Sequence, residues 1–325
     1  DYIKGEFLSD LIRHKILVKD KSILCDAEEI INRGKTSKVL VIVNTVDRAI
    51  ELFEKLSGHE NIFLLHSLFT QKHRNMLESK IKAFADDQSA KGVWITTQIV
   101  EASLDVDFDY LFTELSTLDS LFQRMGRCYR KRKYDLSEPN VYVYTEDVKG
   151  VGTIYDKDIW DKSRNAIKKY NFEGLSESDK VNMVDELYSK ENLSGTKFLN
   201  TFYNALKFLD TNDDYNLDSN EAQRILRNIQ SINVIPRRIY EEIFDLVHQY
   251  ASETDISKRK KLRREIDKHT LSISLYKIRE SKGSTTPIGI KGLEHIKILE
   301  REYDFSEDTC TGKGVIVDQA LSNIF

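Results

Sequence analysis

The sequence predicts an α/β protein: a doubly wound, mostly parallel sheet, then a mainly helical stretch and a small α+β end. Three observations predict it. The run Lys38 to Val43 is continuously apolar after its lysine, as a strand buried on both faces must be. Strand-like and helix-like segments alternate over residues 1–150, the pattern of βαβ units. From about residue 150 the hydrophobic period becomes helical, and it turns strand-like again after His269. The expected domains are therefore 1–150, a helical linker over 151–220, and an accessory domain over 221–325.

The elements follow in order. His14 to Val18 reads as a strand, and Asp26 with Glu29 as a capping box opening a short helix. After the strand at Lys38, Asp47 to Leu56 is helical and stops at Ser57-Gly58. Asn61 to Leu65 is a strand and Thr70 to Phe84 a helix. Val93 to Thr97, Tyr110 to Phe112 and Val141 to Tyr144 complete the strands. Helices are expected over Tyr155–Tyr170, Ser178–Ser189, Gly195–Leu209 and Ser219–Ile232, and again around the basic run Ser257 to Arg264, which reads as a solvated face. Leu271 to Leu275 alternates like a strand, and Ile298 to Val317 resembles a hairpin. On a doubly wound sheet the carboxyl ends of the strands carry the chemistry, which directs attention to the loops after Val43, Leu65 and Thr97.

Composition excludes several classes. A 325-residue chain with 40% hydrophobic residues supports an ordinary core. Its formal net charge of -4 makes any nucleic-acid surface local. Cys25, Cys128 and Cys310 form no CxxC pair, so neither a disulfide framework nor a zinc site is expected, in keeping with a reducing cytoplasm. No apolar run is long enough for a membrane span, and no signal peptide is visible.

The richest segment is Gln123-Arg-Met-Gly-Arg-Cys-Tyr-Arg130. At about 100° per residue, Gln123, Gly126, Arg127 and Arg130 fall within one arc of roughly 100° on a helix. Thr117 would cap that helix and Asp119 would sit in its first turn. Gly126 would then be a mid-helix glycine, a position that asks for close approach of a ligand or another backbone. Two arginines on a polar face suit the stabilisation of charge on a transferring phosphate.

Taken in order, Val41 to Thr45, Leu65 to Ser67, Thr97 to Asp105 and Gln123 to Arg130 resemble the second RecA-like domain of a superfamily-two helicase. More narrowly they resemble the CRISPR-associated helicase–nuclease of type I systems, with the later residues similar to its linker and C-terminal domain. The resemblance implies a RecA-like sheet and a DNA translocase of antiviral defence. It implies ATP and Mg²⁺ as ligands, bound mainly by a first RecA-like domain, and single-stranded DNA and a crRNA-guided surveillance complex as partners. It casts Arg127 and Arg130 as arginine fingers with Gln123 beside the phosphates. Asp105, Glu101 and Gly126 would face the nucleotide. Asn44, Thr45, His66, Ser67, Thr97 and Gln98 would touch the DNA backbone. The family usually carries an arginine after His-Ser, where this chain has Leu68, so a gripping role for that loop rests on Arg74 being brought round.

Two motifs mislead. Gly34-Lys35-Thr36 mimics a phosphate-binding loop, but Glu29 stands where the first glycine belongs, and the segment precedes a strand. Asp210 to Glu221 mimics an EF-hand, but Tyr215 replaces its glycine. With Asp185-Glu186 in a helical context, no ATP-binding motif is expected, so the chain alone is expected to be an inactive ATPase. The alternatives are half of a helicase from a repair or RNA pathway, or a non-catalytic docking or nucleic-acid-binding module.

Overall fold

The structure, a computed structural model, describes residues 12–130, 132, 134, 137–211, 231–275, 278 and 285–316. The chain divides into two compact units. One runs to Phe63 and resumes from Ile81 to Asp213; the other takes Leu64–Lys80 and the chain from Asp214.

The first unit is built on the expected sheet. Its strands are β1 (Ile12–Lys19), β2 (Lys38–Ile42), β3 (Ile62–Leu65), β4 (Gly92–Thr96), β5 (Tyr110–Glu114), β6 (Val141–Tyr144) and β7 (Gly174–Ser176). They run in the order β3-β4-β2-β5-β6-β1-β7. The pairs β2–β4, β2–β5, β5–β6 and β1–β6 are parallel. Every residue of β2, β4 and β6 is buried, which is why these strands read as unbroken apolar runs. The antiparallel edge strand β7 was not legible: three residues carry no period.

Helices α1 (Ala27–Gly34), α2 (Val46–Lys55), α3 (Gln71–Asp86), α4 (Ile99–Ser103) and α5 (Leu118–Met125) follow the strands in turn. Then come α6 (Lys157–Lys168), α7 (Glu177–Leu187), α8 (Lys190–Leu193) and α9 (Lys197–Thr211). The capping box expected at Asp26 is absent. A 3-10 turn over Ile23–Asp26 is capped by Ser22 instead, and the Asp26 carboxylate takes Lys19, Lys21 and Tyr144. A true capping box forms at Ser176 and Asp179, opening α7. Gly34 ends α1 before β2. A Cβ there would lie 2.6 Å from Val93 Cγ2, so the glycine permits close packing of α1 on β4.

The second unit holds a four-stranded sheet of order β10-β11-β8-β9, with β8 (Ser231–Pro236), β9 (Leu271–Ser274), β10 (Thr285–Pro287) and β11 (Ile296–Leu299). Helices α10 (Arg237–Glu242), α11 (Phe244–Ser252) and α12 (Ile256–Lys268) lie between β8 and β9 in sequence. The expected terminal hairpin is β12 (Tyr303–Ser306) with β13 (Thr311–Val315). The helix expected over Ser219–Ile232 is corrected at its end: Ser231 and Ile232 pair with β9 in a strand, while residues 219–230 lie outside the described residues. The calcium-loop mimic falls outside them as well, apart from its first two residues.

Candidate functional site

Arg124 organises the carboxyl edge of the first sheet. Its side chain is fully buried, and all five of its N–H groups find acceptors. Nε donates to Glu101 Oε1 at 2.8 Å. Nη1 donates to Thr113 Oγ1 at 2.8 Å and to the Glu114 carbonyl at 3.0 Å. Nη2 donates to Asn44 Oδ1 at 2.9 Å and to the Tyr155 hydroxyl at 2.7 Å. A buried charge is tolerable only when paired and hydrogen-bonded this fully. Arg124 lies inside the motif, but off the arc that Gln123, Arg127 and Arg130 share on a regular helix. Its wheel position beside the apolar face of α5 is the signal that a charged side chain there must be buried and paired.

Glu114, at the end of β5, is the second buried charge. Its Oε2 accepts from Asn44 N at 2.8 Å, and Oε1 lies 3.3 Å from Arg48 Nε. Burial pushes its carboxyl up to about 6, opposed by the Asn44 amide and the Arg48 charge.

The finger segment differs from the expected helix. α5 ends at Met125, Gly126 is its C-cap with φ -62°, and Tyr129 has φ +49°. Arg127 and Arg130 are therefore not on the helical face with Gln123, and Gly126 is not a mid-helix glycine. The chain turns because Cys128 bridges in parallel to Phe108. Phe108 N donates to Arg127 O at 3.0 Å, and Tyr129 N donates to Phe108 O at 3.1 Å. The Arg127 guanidinium donates to the carbonyls of Glu101 and Leu104, capping the end of α4, and burial lowers its pKa. Arg130 faces solvent and pairs with exposed Asp105, Nε to Oδ1 at 3.2 Å. Gln123 is exposed.

The strand-end residues divide into buried and open ones. Asn44 is 1% exposed; its Nδ2 donates to Leu115 O and Lys149 O while its Oδ1 serves Arg124. Thr45 caps α2 by accepting from Arg48 N. Thr97 is buried, and Gln98 Nε2 donates to Asn44 O at 2.8 Å. Glu101 accepts from Ser120 Oγ and Arg124. In the second unit, His66 is buried, accepts from Leu68 N at 3.2 Å and stacks on Phe69, with Ser67 exposed beside it. Leu68 is buried and its carbonyl accepts from Val315 N, which explains an apolar residue there. Arg74 extends toward Glu78 one turn along α3.

Beside Arg124 lies a cleft of about 360 Å³ lined by Gln98, Glu101, Ser120, Tyr155, Tyr188 and Phe198, among others. Among the described residues no group of three or more His, Cys, Asp or Glu side chains is arranged to hold a metal ion, and no helix is long and apolar enough to cross a membrane.

A mostly parallel sheet with three of these clusters at strand ends, and the fourth on α5 and the turn beyond it, defines a RecA-like helicase domain, followed by a mixed C-terminal unit. Residues 35–133 match the family model of the CRISPR-associated nuclease/helicase Cas3, C-terminal. The chain is 32% identical over 234 residues to the CRISPR-associated nuclease/helicase Cas3 of Methanothermobacter thermautotrophicus, covering 71% of this chain and 27% of that protein. Its fold matches the crystal structure of T. fusca Cas3–AMPPNP with a TM-score of 0.67 at 16% identity, covering 95% of this chain and 43% of that one. It also matches a chain of a CRISPR RNA-guided surveillance complex, pre-nicking, with a TM-score of 0.65 at 15% identity, covering 95% and 45%. The chain is a relative of the C-terminal part of Cas3. It spans less than a third of the length of the curated relatives it matches.

Proposed function

We propose that this chain is the C-terminal part of an ATP-dependent DNA translocase of CRISPR interference, and that Arg130 is its arginine finger. The carrying observation is the contrast between its arginines. Arg124 is buried and saturated, Arg127 is turned onto the end of α4, and Arg130 is partly exposed, its Nε 3.2 Å from a carboxylate oxygen of the exposed Asp105. Exchanging Asp105 for a γ-phosphate replaces one charge-assisted contact with a stronger bidentate one. Gln123 is exposed on α5, open to phosphate oxygens, and Arg127 keeps Glu101 and its loop in place. ATP with its Mg²⁺ is held chiefly by a first RecA-like domain, so hydrolysis needs both.

Single-stranded DNA contacts the open strand-end hydroxyls, Thr45 on the first unit and Ser67 on the second, which grip phosphate and read no sequence. Thr97 is buried and Gln98 spends its amide donors on Asn44 O and the Tyr155 hydroxyl, so both hold their loop rather than touch the strand. Asn44 and His66 shape these loops from beneath. A crRNA-guided surveillance complex presents the strand. The test is DNA-stimulated ATPase of the full-length protein: Arg130→Ala abolishes turnover and leaves ATP binding intact. Retained turnover would remove Arg130 from the role.

A further inference from the structure

We infer that Arg13 and His14 of β1 are positioning residues for the arginine finger, gripping the backbone of the Cys128–Arg130 segment on behalf of α7. This rests on the reading of Arg130 as the finger.

The segment leaves its helix at Met125 and has no regular structure to hold it beyond one bridge. Its backbone groups are instead taken up from two sides. From one side come Asp107 and Phe108: Phe108 takes the Arg127 carbonyl and the Tyr129 amide, and Asp107 Oδ1 accepts from Arg130 N at 3.0 Å. From the other side comes β1. His14 Nε2 meets the Cys128 carbonyl at 2.8 Å, and Arg13 Nη1 donates to the Arg130 carbonyl at 2.8 Å. Neither β1 side chain is left to itself. The Lys180 ammonium lies 3.1 Å from His14 Nδ1, and it has no lone pair, so it must be the donor. That makes Nδ1 the acceptor and puts the ring proton on Nε2, aimed at the Cys128 carbonyl. Glu177 Oε1 accepts from both Arg13 and Lys180 at 2.8 Å, joining the two grips. The capping box at Ser176 and Asp179 fixes the first turn of α7, from which Glu177 and Lys180 project.

The consequence is geometric. With both carbonyls pinned, Tyr129 is held in its left-handed conformation at φ +49°, and the Arg130 side chain leaves the backbone in one direction. A finger must meet a developing charge within a fraction of an ångström, and misplacement by about 1 Å can cost on the order of a hundredfold in rate. Loosening either grip spreads the positions available to Arg130 without removing it.

The experiment uses the full-length protein and compares Arg13→Met, Arg13→Lys and His14→Gln. Gln keeps a donor at the ε position, and the Arg13 side chain, 19% exposed where His14 is fully buried, is the more open of the two, so its variants fold even where a change at the histidine does not. Arg13→Met should lower kcat of DNA-stimulated ATP hydrolysis on the order of tenfold, with KM for ATP and affinity for AMPPNP within about twofold of the parent. Affinity for ADP with aluminium fluoride, a mimic of the transferring phosphoryl group, should fall in parallel with kcat. Arg13→Lys should recover much of the loss, and His14→Gln, which keeps the donor, should lower kcat much less than Arg13→Met. In an Arg130→Ala background Arg13→Met should have no further effect. An unchanged kcat for Arg13→Met, or equal loss of AMPPNP and transition-state-mimic binding, overturns the inference. If Arg130→Ala itself retains turnover, the finger reading fails first, so the two failures are distinguishable.

Discussion

Arg124 and Asn44 are 80 residues apart in sequence and meet at 2.9 Å, Nη2 to Oδ1, where neither touches solvent. This bond joins the end of β2 to helix α5, with Glu101 of α4 bonded to the same guanidinium. Three of the four motifs that run along the sequence are thereby tied to one side chain.

Breaking that hub should unfold the edge of the sheet. Arg124→Ala strands Glu101 and the Asn44 amide oxygen in the interior and should destabilise by about 3–5 kcal/mol, the usual cost of removing one partner of a buried pair. Arg124→Lys keeps charge but loses the fork, and should recover only part of this. Denaturant midpoints measure both; an Arg124→Ala protein as stable as the parent would contradict the assignment.

Asn44 and Ser67 should separate cleanly. Asn44→Ala removes two donors and the acceptor for Arg124, and should cost roughly 1–3 kcal/mol of stability. Ser67→Ala alters an exposed hydroxyl and should leave the melting temperature unchanged. It should weaken single-stranded DNA binding by about 0.5–1.5 kcal/mol, a few-fold in Kd. Binding isotherms at fixed salt, beside thermal melts, check the pair.

Gly34→Ala should destabilise by about 1–3 kcal/mol, because its Cβ would press into Val93 Cγ2. In a Val93→Ala background the same change should cost much less. A phosphate-loop glycine would lower ATP affinity instead, with no dependence on Val93.

His14 should make stability fall on acidification. Burial, then the Lys180 charge, lowers its pKa from 6.5 to about 3, so the folded state holds it neutral. Its contribution is full above pH 6.5 and is lost as pH falls toward 3, with a slope of at most about 1.4 kcal/mol per pH unit. Glu114 acts the other way, since its carboxyl is raised to about 6: its contribution is present below its ordinary 4.5 and lost as pH rises through 6. His14→Gln retains Glu114, so the difference between parent and variant isolates the histidine. Parallel stability-versus-pH curves for the two proteins would refute it.

The sheet was legible because β2, β4 and β6 are buried on both faces, and burial of that kind leaves an unbroken apolar run. The order of the motif clusters was legible too, since three sit at strand ends and the fourth on the helix that follows β5. By itself the sequence determined a parallel α/β domain with its chemistry at the carboxyl edge, and which residues supply polar groups there. Tertiary structure alone decided which of those groups face outward. Helical periodicity put Arg127 and Arg130 on one face with Gln123, yet the bridge from Cys128 to Phe108 ends the helix early and turns the two arginines to different tasks. It also sent Arg124 inward, to a site whose acceptors come from Asn44, Glu101, Thr113, Glu114 and Tyr155. A local period knows only about neighbours within a turn or two, whereas a buried arginine is stable only where distant strands bring enough acceptors to one point.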